Sequence, residues 1–302
     1  MRIFSATSSS NAQPNPKCNR DVTENCHWQS AQGFPQTLCL LNQKGGVGKS
    51  STCFHLAGAY AGFGFRVLVI DVDPQGSVSQ GFFGSETVEN FPAEVTVSAL
   101  FDEAWGFGDW SRLIHETSFD RIHVCPANQN LARYNTPCPE ESGLSQFALR
   151  EFVEEQDGFD VVLIDCPPNL YRCSWTAMIA ADWVVIPVNP EDFGTQGLRA
   201  VHQAVDNARV LNPNLRRLGH LVTRSDGRLL VHKAYERRLR KRYGNLVLKN
   251  LLPELSAFKV AVAERTPVEL HDKRSRAARL TRNLCREILD RTDVRNSKRR
   301  VA

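Results

Sequence analysis

The sequence predicts an α/β fold in which a doubly wound, mostly parallel sheet is flanked by helices. Three observations lead to this prediction. Short, uniformly apolar segments recur along the 302-residue chain, as expected for strands that are buried on both faces. Helix-like stretches separate these segments, which favours parallel strands joined by crossover helices. A glycine-rich turn follows the first apolar segment, at the position where such sheets bind ligands.

The strands and the helix that frame this turn can be placed from the pattern of apolar residues. The first strand is predicted at residues 38–41, and residues 51–63 after the turn are predicted to form a helix. The remaining predicted strands are residues 67–70 followed by Asp71, 160–165, 183–187 and 218–222. Residues 85–145 mix Pro, Gly and aromatic residues, and we expect them to lie at one edge of the sheet.

The chain is predicted to consist of a leader, one large domain and a tail. Residues 1–36 are polar, rich in Ser, Asn, Gln and Pro, and lack a sustained period, which indicates a flexible N-terminal leader. Such a segment does not supply the helices of a helix-turn-helix DNA reader. One large domain is predicted over residues 37–290, and a basic tail follows over residues 291–302.

The composition excludes several classes of protein. With 42% hydrophobic and 23% charged residues, no segment reaches the roughly 18 consecutive apolar residues that a membrane-spanning helix needs. The first residues carry one Arg but no apolar run behind it, so we expect no secretory signal. The nine cysteines are scattered singly, which predicts reduced thiols in a cytoplasmic protein rather than a disulfide framework.

The glycine-rich turn has the features of a phosphate-binding loop with one departure. The ordinary pattern has Gly where this chain has Gln43, and here an additional lysine, Lys44, stands at the start of the loop. Glycines let successive backbone N–H groups converge on phosphate oxygens, and the N-terminus of the following helix adds its positive end. Lys49 is expected to reach the β- and γ-phosphates, and the Ser50 hydroxyl to bind Mg²⁺. The predicted nucleotide-binding residues are Lys44, Gly45, Gly46, Val47, Gly48, Lys49, Ser50 and Ser51.

Carboxylates follow two of the predicted strands. Asp71 and Asp73 come directly after the second strand, and Asp165 ends a strand of pure Val, Leu and Ile. Because open α/β sheets bind ligands at the carboxyl ends of their strands, we expect these groups near the phosphate loop. Asp165 is the candidate for holding Mg²⁺ through a water, with Asp71 supporting the metal site. Asp73 is the candidate for positioning the attacking water.

The net charge of +4 conceals two opposed parts of the chain. Residues 1–215 carry a balance of −11, whereas residues 216–302 carry +15. The basic segment indicates either a polyanionic partner such as nucleic acid or an ordinary solvated surface. If the segment is helical, Lys233, Arg237 and Lys241 share one face, as do Arg279, Arg282 and Arg286. The candidate DNA-binding residues are Arg224, Arg228, Arg237, Arg238 and Lys241.

Over residues 37–290 the chain resembles the ParA/MinD partitioning ATPases, P-loop NTPases with a deviant Walker A motif. The resemblance rests on four motifs in order: Lys44-Gly45-Gly46-Val47-Gly48-Lys49-Ser50, Asp71-Val72-Asp73-Pro74-Gln75-Gly76, Asp165-Cys166-Pro167-Pro168, and Ile186-Pro187-Val188 leading to Pro190, Glu191 and Gly197. The Asp-x-Asp-Pro-Gln form is more similar to the DNA-partitioning ParA/Soj branch than to the cell-division MinD branch. Cys166 stands where the family usually has Thr or Ser, and residues 261–268 match the family's late glutamate-containing segment only loosely.

The resemblance implies an ATPase that uses ATP and Mg²⁺ and forms an ATP-sandwich homodimer. Lys44 would then contact nucleotide in the partner subunit, so that Lys44 and Asp73 are the expected catalytic residues. The resemblance further implies that the ATP-bound dimer binds DNA without sequence preference and associates with the nucleoid. A ParB-like centromere-binding protein is the expected partner, which stimulates weak ATP hydrolysis during plasmid or chromosome segregation.

Three alternatives stay open on the sequence. The chain could be a MinD-like ATPase that positions a cargo other than DNA. It could be a metabolic relative that carries an iron–sulfur cluster at its dimer interface, or a basic DNA-binding module whose loop is degenerate. Membrane targeting is not expected, because residues 291–302 contain only two Val and one Ala as apolar residues, too few for an amphipathic anchor.

Overall fold

The computed structural model describes residues 35–102, 110–190 and 195–292. Most of the predicted leader, Glu191 of the fourth motif, and the predicted tail from residue 293 onward lie outside these ranges. The first strand begins at Gln36, one residue before the predicted start of the domain. The boundaries of leader and tail therefore stay predictions.

Within the described residues, eight strands form one sheet in the order β3-β4-β2-β5-β1-β6-β7-β8. Every neighbouring pair is parallel except β3 with β4. The predicted α/β fold with a mostly parallel sheet is confirmed. The strands are β1 (Gln36–Leu40), β2 (Val67–Asp71), β3 (His115–Glu116), β4 (Ile122–Cys125), β5 (Val161–Asp165), β6 (Trp183–Val188), β7 (Arg216–Ser225) and β8 (Leu252–Pro253).

Helices cover both faces of this sheet. They are α1 (Lys49–Gly62), α2 (Ser77–Phe83), α3 (Ser85–Glu89), α4 (Ala148–Glu154), α5 (Arg172–Ala180), α6 (Thr195–Ala208), α7 (Leu230–Tyr243), α8 (Ser256–Ala263), α9 (Val268–His271) and α10 (Arg276–Thr292). Alternate residues of a strand point to opposite faces, so each central strand supplies two cores. Leu38 and Leu40 pack in the core with α1 and α10, whereas Cys39 packs in the core with α4, α5 and α6.

The described part of residues 85–145, which lack a clear sequence pattern, forms one edge of the sheet. Strand β4 pairs in parallel with β2, and the short β3 closes that edge in the antiparallel direction. Several short 3-10 helices connect these elements. Among the helices of the described ranges, none combines the length and the apolar character that crossing a bilayer requires.

Helix α1, which follows the phosphate loop, packs closely against the turn before α9. Gly58 lies in the middle of α1, and a Cβ built there would overlap the ring of Pro267. Nearby, the backbone N–H of Val268 donates to Nδ1 of His55 at 3.2 Å. These contacts fix α1 against the C-terminal part of the chain.

We therefore predict that glycine is required at position 58 for the stability of the fold. Gly58→Ala should lower the unfolding free energy by about 1–3 kcal/mol, because overpacking exceeds the gain in helix propensity. Thermal unfolding of the purified variant measures this effect. Gly197→Ala in α6 is the matched control. No atom of the described residues lies within 4 Å of a Cβ there, so that change should stabilise by up to ~1 kcal/mol. Equal melting temperatures for the two variants would contradict the packing argument.

Candidate functional site

The carboxyl ends of three neighbouring strands form the predicted site. In the parallel register, Asp165 at the end of β5 lies opposite Leu40 of β1 on one side and Asp71 of β2 on the other. The phosphate loop leaves β1 two residues after Leu40. Pairing of the strands therefore brings the loop and both carboxylate motifs to one edge of the sheet.

The loop is held in shape by its own backbone and by a buried asparagine. Gly46 and Gly48 adopt positive φ angles of 74° and 82°, which favour glycine. The Asn42 side chain donates through Nδ2 to the Pro187 carbonyl at 2.6 Å and accepts from the Lys44 N–H at 3.0 Å. Asn42 thus ties the start of the loop to the end of β6.

The two lysines of the loop occupy different environments. Lys49 is buried, and its Nζ donates to the Lys44 carbonyl at 3.3 Å. Burial lowers the pKa of the Lys49 ammonium, while the charges of Asp165, Cys166 and Asp73 act in the opposite direction. Lys44 is exposed at the surface of the loop. Their positions suit different tasks, one inside the site and one at its outer surface.

Asp71 and Asp73 are both buried but are bound differently. The Asp71 carboxylate accepts from the backbone N–H groups of Asp73 and Ser79 at 3.0 Å, and from the Ser79 hydroxyl at 2.7 Å. Burial and the neighbouring Asp73 raise the pKa of Asp71 to about 7 against these hydrogen bonds. Asp73 accepts from the Gln75 N–H at 3.0 Å, and burial raises its pKa, while the charge of Lys49 lowers it. The hydrogen bonds make Asp71 a support of the site's backbone.

Asp165 is the buried acid that lacks partners. Neither of its carboxylate oxygens has a hydrogen-bond partner within the described ranges, and the residue is fully buried. Burial and the charge of Asp71 raise its pKa well above the ordinary range, whereas the nearby Ser50 hydroxyl and Lys49 lower it. An unpaired buried carboxylate is costly unless a cation binds it. The residues present therefore fit Mg²⁺, which in proteins typically takes one or two carboxylates together with phosphate oxygens.

A cavity of about 290 Å³ adjoins the loop on the side of α8. Its walls include the first residues of α1 and the end of β7, and apolar side chains form much of its surface. Among its lining residues are Thr52, His55, Leu252, Leu255, Phe258 and Val262. A largely apolar cavity beside a phosphate loop suits a flat ring attached to the bound phosphates.

Comparison with known proteins identifies the family. A family model described as an AAA domain matches residues 35–217. The chain is 34% identical over 255 residues to the chromosome-partitioning ATPase Soj of Thermus thermophilus, covering 84% of this chain and 95% of Soj. It is 30% identical over 267 residues to the chromosome partitioning protein ParA of Caulobacter vibrioides, covering 87% and 97%. The chain belongs to the ParA/Soj family of partitioning ATPases.

A solved structure shares the architecture of this ParA/Soj-family chain. Cobyrinic acid a,c-diamide synthase from Mycobacterium smegmatis, with bound ATP analogue and magnesium, superposes with a TM-score of 0.72 at 25% identity. The match covers 86% of this chain and 96% of the synthase. A metabolic enzyme and the partitioning proteins thus share one fold, so sites rather than fold distinguish their functions.

The basic residues predicted to bind DNA divide into two groups in this ParA/Soj-family chain. Arg237, Arg238 and Lys241 are exposed on α7. Arg228 is also exposed but forms a two-point contact with Asp226 at 2.8 and 3.2 Å. Arg224 instead donates to the Gly46 carbonyl of the phosphate loop at 2.7 Å. The structure places Arg224 against the phosphate loop. Its role in DNA binding stays a prediction, as do those of the others.

The second predicted stripe, on α10, has largely structural contacts. Arg282 pairs with the buried carboxylate of Glu269 at 2.5 Å. The Arg286 guanidinium lies 5.3 Å from the ring centroid of Phe63, and Arg279 is exposed. The α10 cations therefore serve packing as well as surface charge.

Sequence reasoning missed Asn42, Thr223 and the lining of the cavity. The Thr223 hydroxyl donates to the Val47 carbonyl at 2.7 Å, across 176 positions in the sequence. No spacing pattern signals such a contact. Asn42 did carry a signal, because it stands between the first strand and the phosphate loop.

The buried acids predict a pH-dependent stability in the absence of metal. The pKa values of Asp71 and Asp165 lie above the usual 3.8, so the folded chain binds these protons more tightly than the unfolded chain. The unfolding free energy therefore falls as pH rises from about 4 to about 7.

Asp165→Asn should remove part of the destabilisation that the buried carboxylates cause. In EDTA at pH 7.5 we expect its melting temperature to rise by a few degrees, at roughly 2–4 °C per kcal/mol for a domain of this size, with a flatter pH profile. Asp120→Asn, an exposed acid, is the control and should change nothing. Calorimetry between pH 5 and 8 makes the comparison, and a lower melting temperature for Asp165→Asn would refute the unpaired-carboxylate argument.

Proposed function

We propose that this chain is a Mg²⁺-dependent ATPase that dimerises around ATP and moves plasmid or chromosomal DNA with a ParB-like partner. The observation that carries the proposal is the convergence of the phosphate loop, Lys49 and the unpaired Asp165 at one sheet edge. Membership of a family whose relatives are named for chromosome partitioning supports the biological role.

The site residues divide the work of phosphoryl transfer. Backbone N–H groups of the loop and the buried Lys49 bind the β- and γ-phosphates. Ser50 and Asp165 hold Mg²⁺, with Asp71 keeping the adjoining backbone in place. Bound Mg²⁺ supplies positive charge to the phosphate oxygens. Asp73, which is buried beside Lys49, orients the attacking water and accepts its proton.

The exposed position of Lys44 supports a role across a dimer interface. Lys49 already occupies the interior of the site, whereas Lys44 lies at the surface of the same loop. A cation supplied by a second subunit neutralises charge in the transition state only when two subunits meet. Hydrolysis is thereby coupled to dimerisation, and a ParB-like partner that stabilises the closed dimer stimulates turnover.

The distribution of positive charge supports DNA as the partner to which this chain binds. Helix α7 presents Arg237, Arg238 and Lys241 to solvent within a segment whose net charge is +15. Such contacts neutralise phosphates without reading bases, so affinity falls with salt. Pairing two subunits doubles the basic surface, which makes DNA binding and nucleoid association depend on ATP.

The Asp73→Ala variant separates hydrolysis from binding. We expect ATP turnover to fall by roughly 10²- to 10⁴-fold, because the group that orients water is lost. ATP-dependent dimers and DNA co-sedimentation should persist. Turnover is measured by phosphate release with DNA and the partner present. Normal turnover would remove Asp73 from the mechanism, and dimers that ignore DNA would favour a MinD-like ATPase with another cargo.

The two loop lysines give a second test. Lys44→Gln should retain ATP binding by the monomer but lose dimerisation and stimulated hydrolysis, because its charge acts on the other subunit's nucleotide. Lys49→Gln is the matched control and should lose ATP binding itself. Nucleotide titration and light scattering with ATP distinguish the two losses. If Lys44→Gln dimerises and turns over as the wild type does, the intersubunit role is wrong.

A further inference from the structure

Two consecutive residues at the end of β7 donate hydrogen bonds to two consecutive carbonyl groups of the phosphate loop. The Thr223 hydroxyl donates to the Val47 carbonyl, and Nη1 of Arg224 donates to the Gly46 carbonyl, both at 2.7 Å. Thr223 also donates to the Val188 carbonyl at 3.2 Å, which anchors it to β6. The loop is therefore held from a strand that lies far from it in sequence.

These contacts fix the direction of the loop's N–H groups. In a trans peptide the C=O and N–H point in opposite directions. Holding the Gly46 carbonyl toward Arg224 turns the N–H of Val47 away from Arg224, and holding the Val47 carbonyl does the same for the N–H of Gly48. A cation at a carbonyl also polarises that peptide group, which makes its N–H a better donor to an anion.

The backbone of β7 departs from regular geometry at the residue that makes this contact. Arg224 has a φ of +51°, a left-handed conformation that costs a non-glycine residue about 1 kcal/mol or more. The register of β7 with β8 shifts between Thr223 and Ser225. In a regular strand the side chains of residues 223 and 224 would point to opposite faces. The irregularity re-aims Arg224 toward the loop, as bulges beside ligand sites do.

The surroundings leave the Arg224 charge available to the loop. Its side chain is about half exposed, and Glu254, the nearest acid within the described ranges, lies 3.8 Å from Nε. Glu254 makes its shorter ion pair with Lys259 at 2.6 Å. Arg224 also lines the cavity beside the loop. Its guanidinium therefore contacts the loop more closely than it contacts any acid within the described ranges.

We propose that Arg224 is a positioning residue for the nucleotide, aimed at the phosphate loop by the bulge in β7, and not a DNA contact. The inference rests on the proposed binding of ATP by this loop. Arg224 then affects the affinity for nucleotide through the N–H of Val47. It no longer counts among the candidate DNA-binding residues, of which Arg237, Arg238 and Lys241 lie exposed on α7.

Arg224→Gly separates this role from a purely structural one. Glycine accepts a φ of +51° without strain, and this gain offsets the lost hydrogen bond and the added freedom of the unfolded chain, so the variant should melt within a few degrees of the wild type. Its dissociation constant for ATP should rise roughly 3- to 30-fold, the effect of a charge-assisted hydrogen bond weakened by solvent. Arg224→Lys, which keeps the cation, should recover part of that affinity. Calorimetric titration of the full chain with ATP and Mg²⁺ measures all three proteins.

The salt dependence of DNA binding provides the second readout. At saturating ATP, Arg224→Gly should keep the wild-type slope of log affinity against log salt. Arg237→Ala on α7 should reduce that slope by about 0.9 per subunit. Wild-type ATP affinity in Arg224→Gly together with a reduced slope would overturn the inference, and so would a large loss of thermal stability. A wild-type chain that binds no ATP would instead refute the proposed function.

Discussion

The carboxylates of Asp71, Asp73 and Asp165 repel one another at a buried edge of the sheet, where Lys49 lies among them. The neighbouring groups of the site offset this repulsion to different extents at the three carboxylates. Asp71 is relieved by three hydrogen bonds, and Asp73 by a backbone N–H and the lysine. Asp165 has Ser50 and Lys49 nearby, but its carboxylate oxygens have no hydrogen-bond partner within the described residues. The site is therefore built at the expense of stability, and a bound cation would offset part of that cost.

A sheet that cannot rearrange keeps these groups together. The side chains of β1, β2 and β5 are buried along their whole length, so a shift in register would expose apolar surface or bury polar groups. Helix α1 transmits the same rigidity to the phosphate loop, because its middle turn is locked to Pro267 and Val268. The acids are held close together by packing energy that comes from elsewhere in the domain.

Much of this architecture was predictable from the sequence. The strands are uniformly apolar and local, so β2, predicted at residues 67–70, is observed at Val67–Asp71. Helix α1 begins two residues before its predicted start, because Gly48 with its positive φ ends the turn and Lys49 is already helical. The family was recognisable because its motifs are short and ordered. The roles of the individual site residues stay predictions.

The unpredicted parts depend on contacts between distant segments. Strand β7 was predicted at residues 218–222 but extends over Arg216–Ser225, since its ends are polar and pair with neighbours rather than following an apolar pattern. The missed residues 223–225 include those that contact the phosphate loop. The cavity is likewise formed by α1, β8 and α8, which meet only in the folded chain.

The exposed Lys44 has a consequence for how activity varies with concentration. If each active site borrows this lysine from a second subunit, the rate per volume grows with the square of protein concentration while dimers are scarce. DNA that binds many subunits would then raise the rate of ATP hydrolysis by bringing subunits together, without contacting the reacting atoms. The rate of ATP hydrolysis would then increase with the local concentration of subunits. The lifetime of the ATP-bound dimer would therefore depend on how many subunits lie nearby.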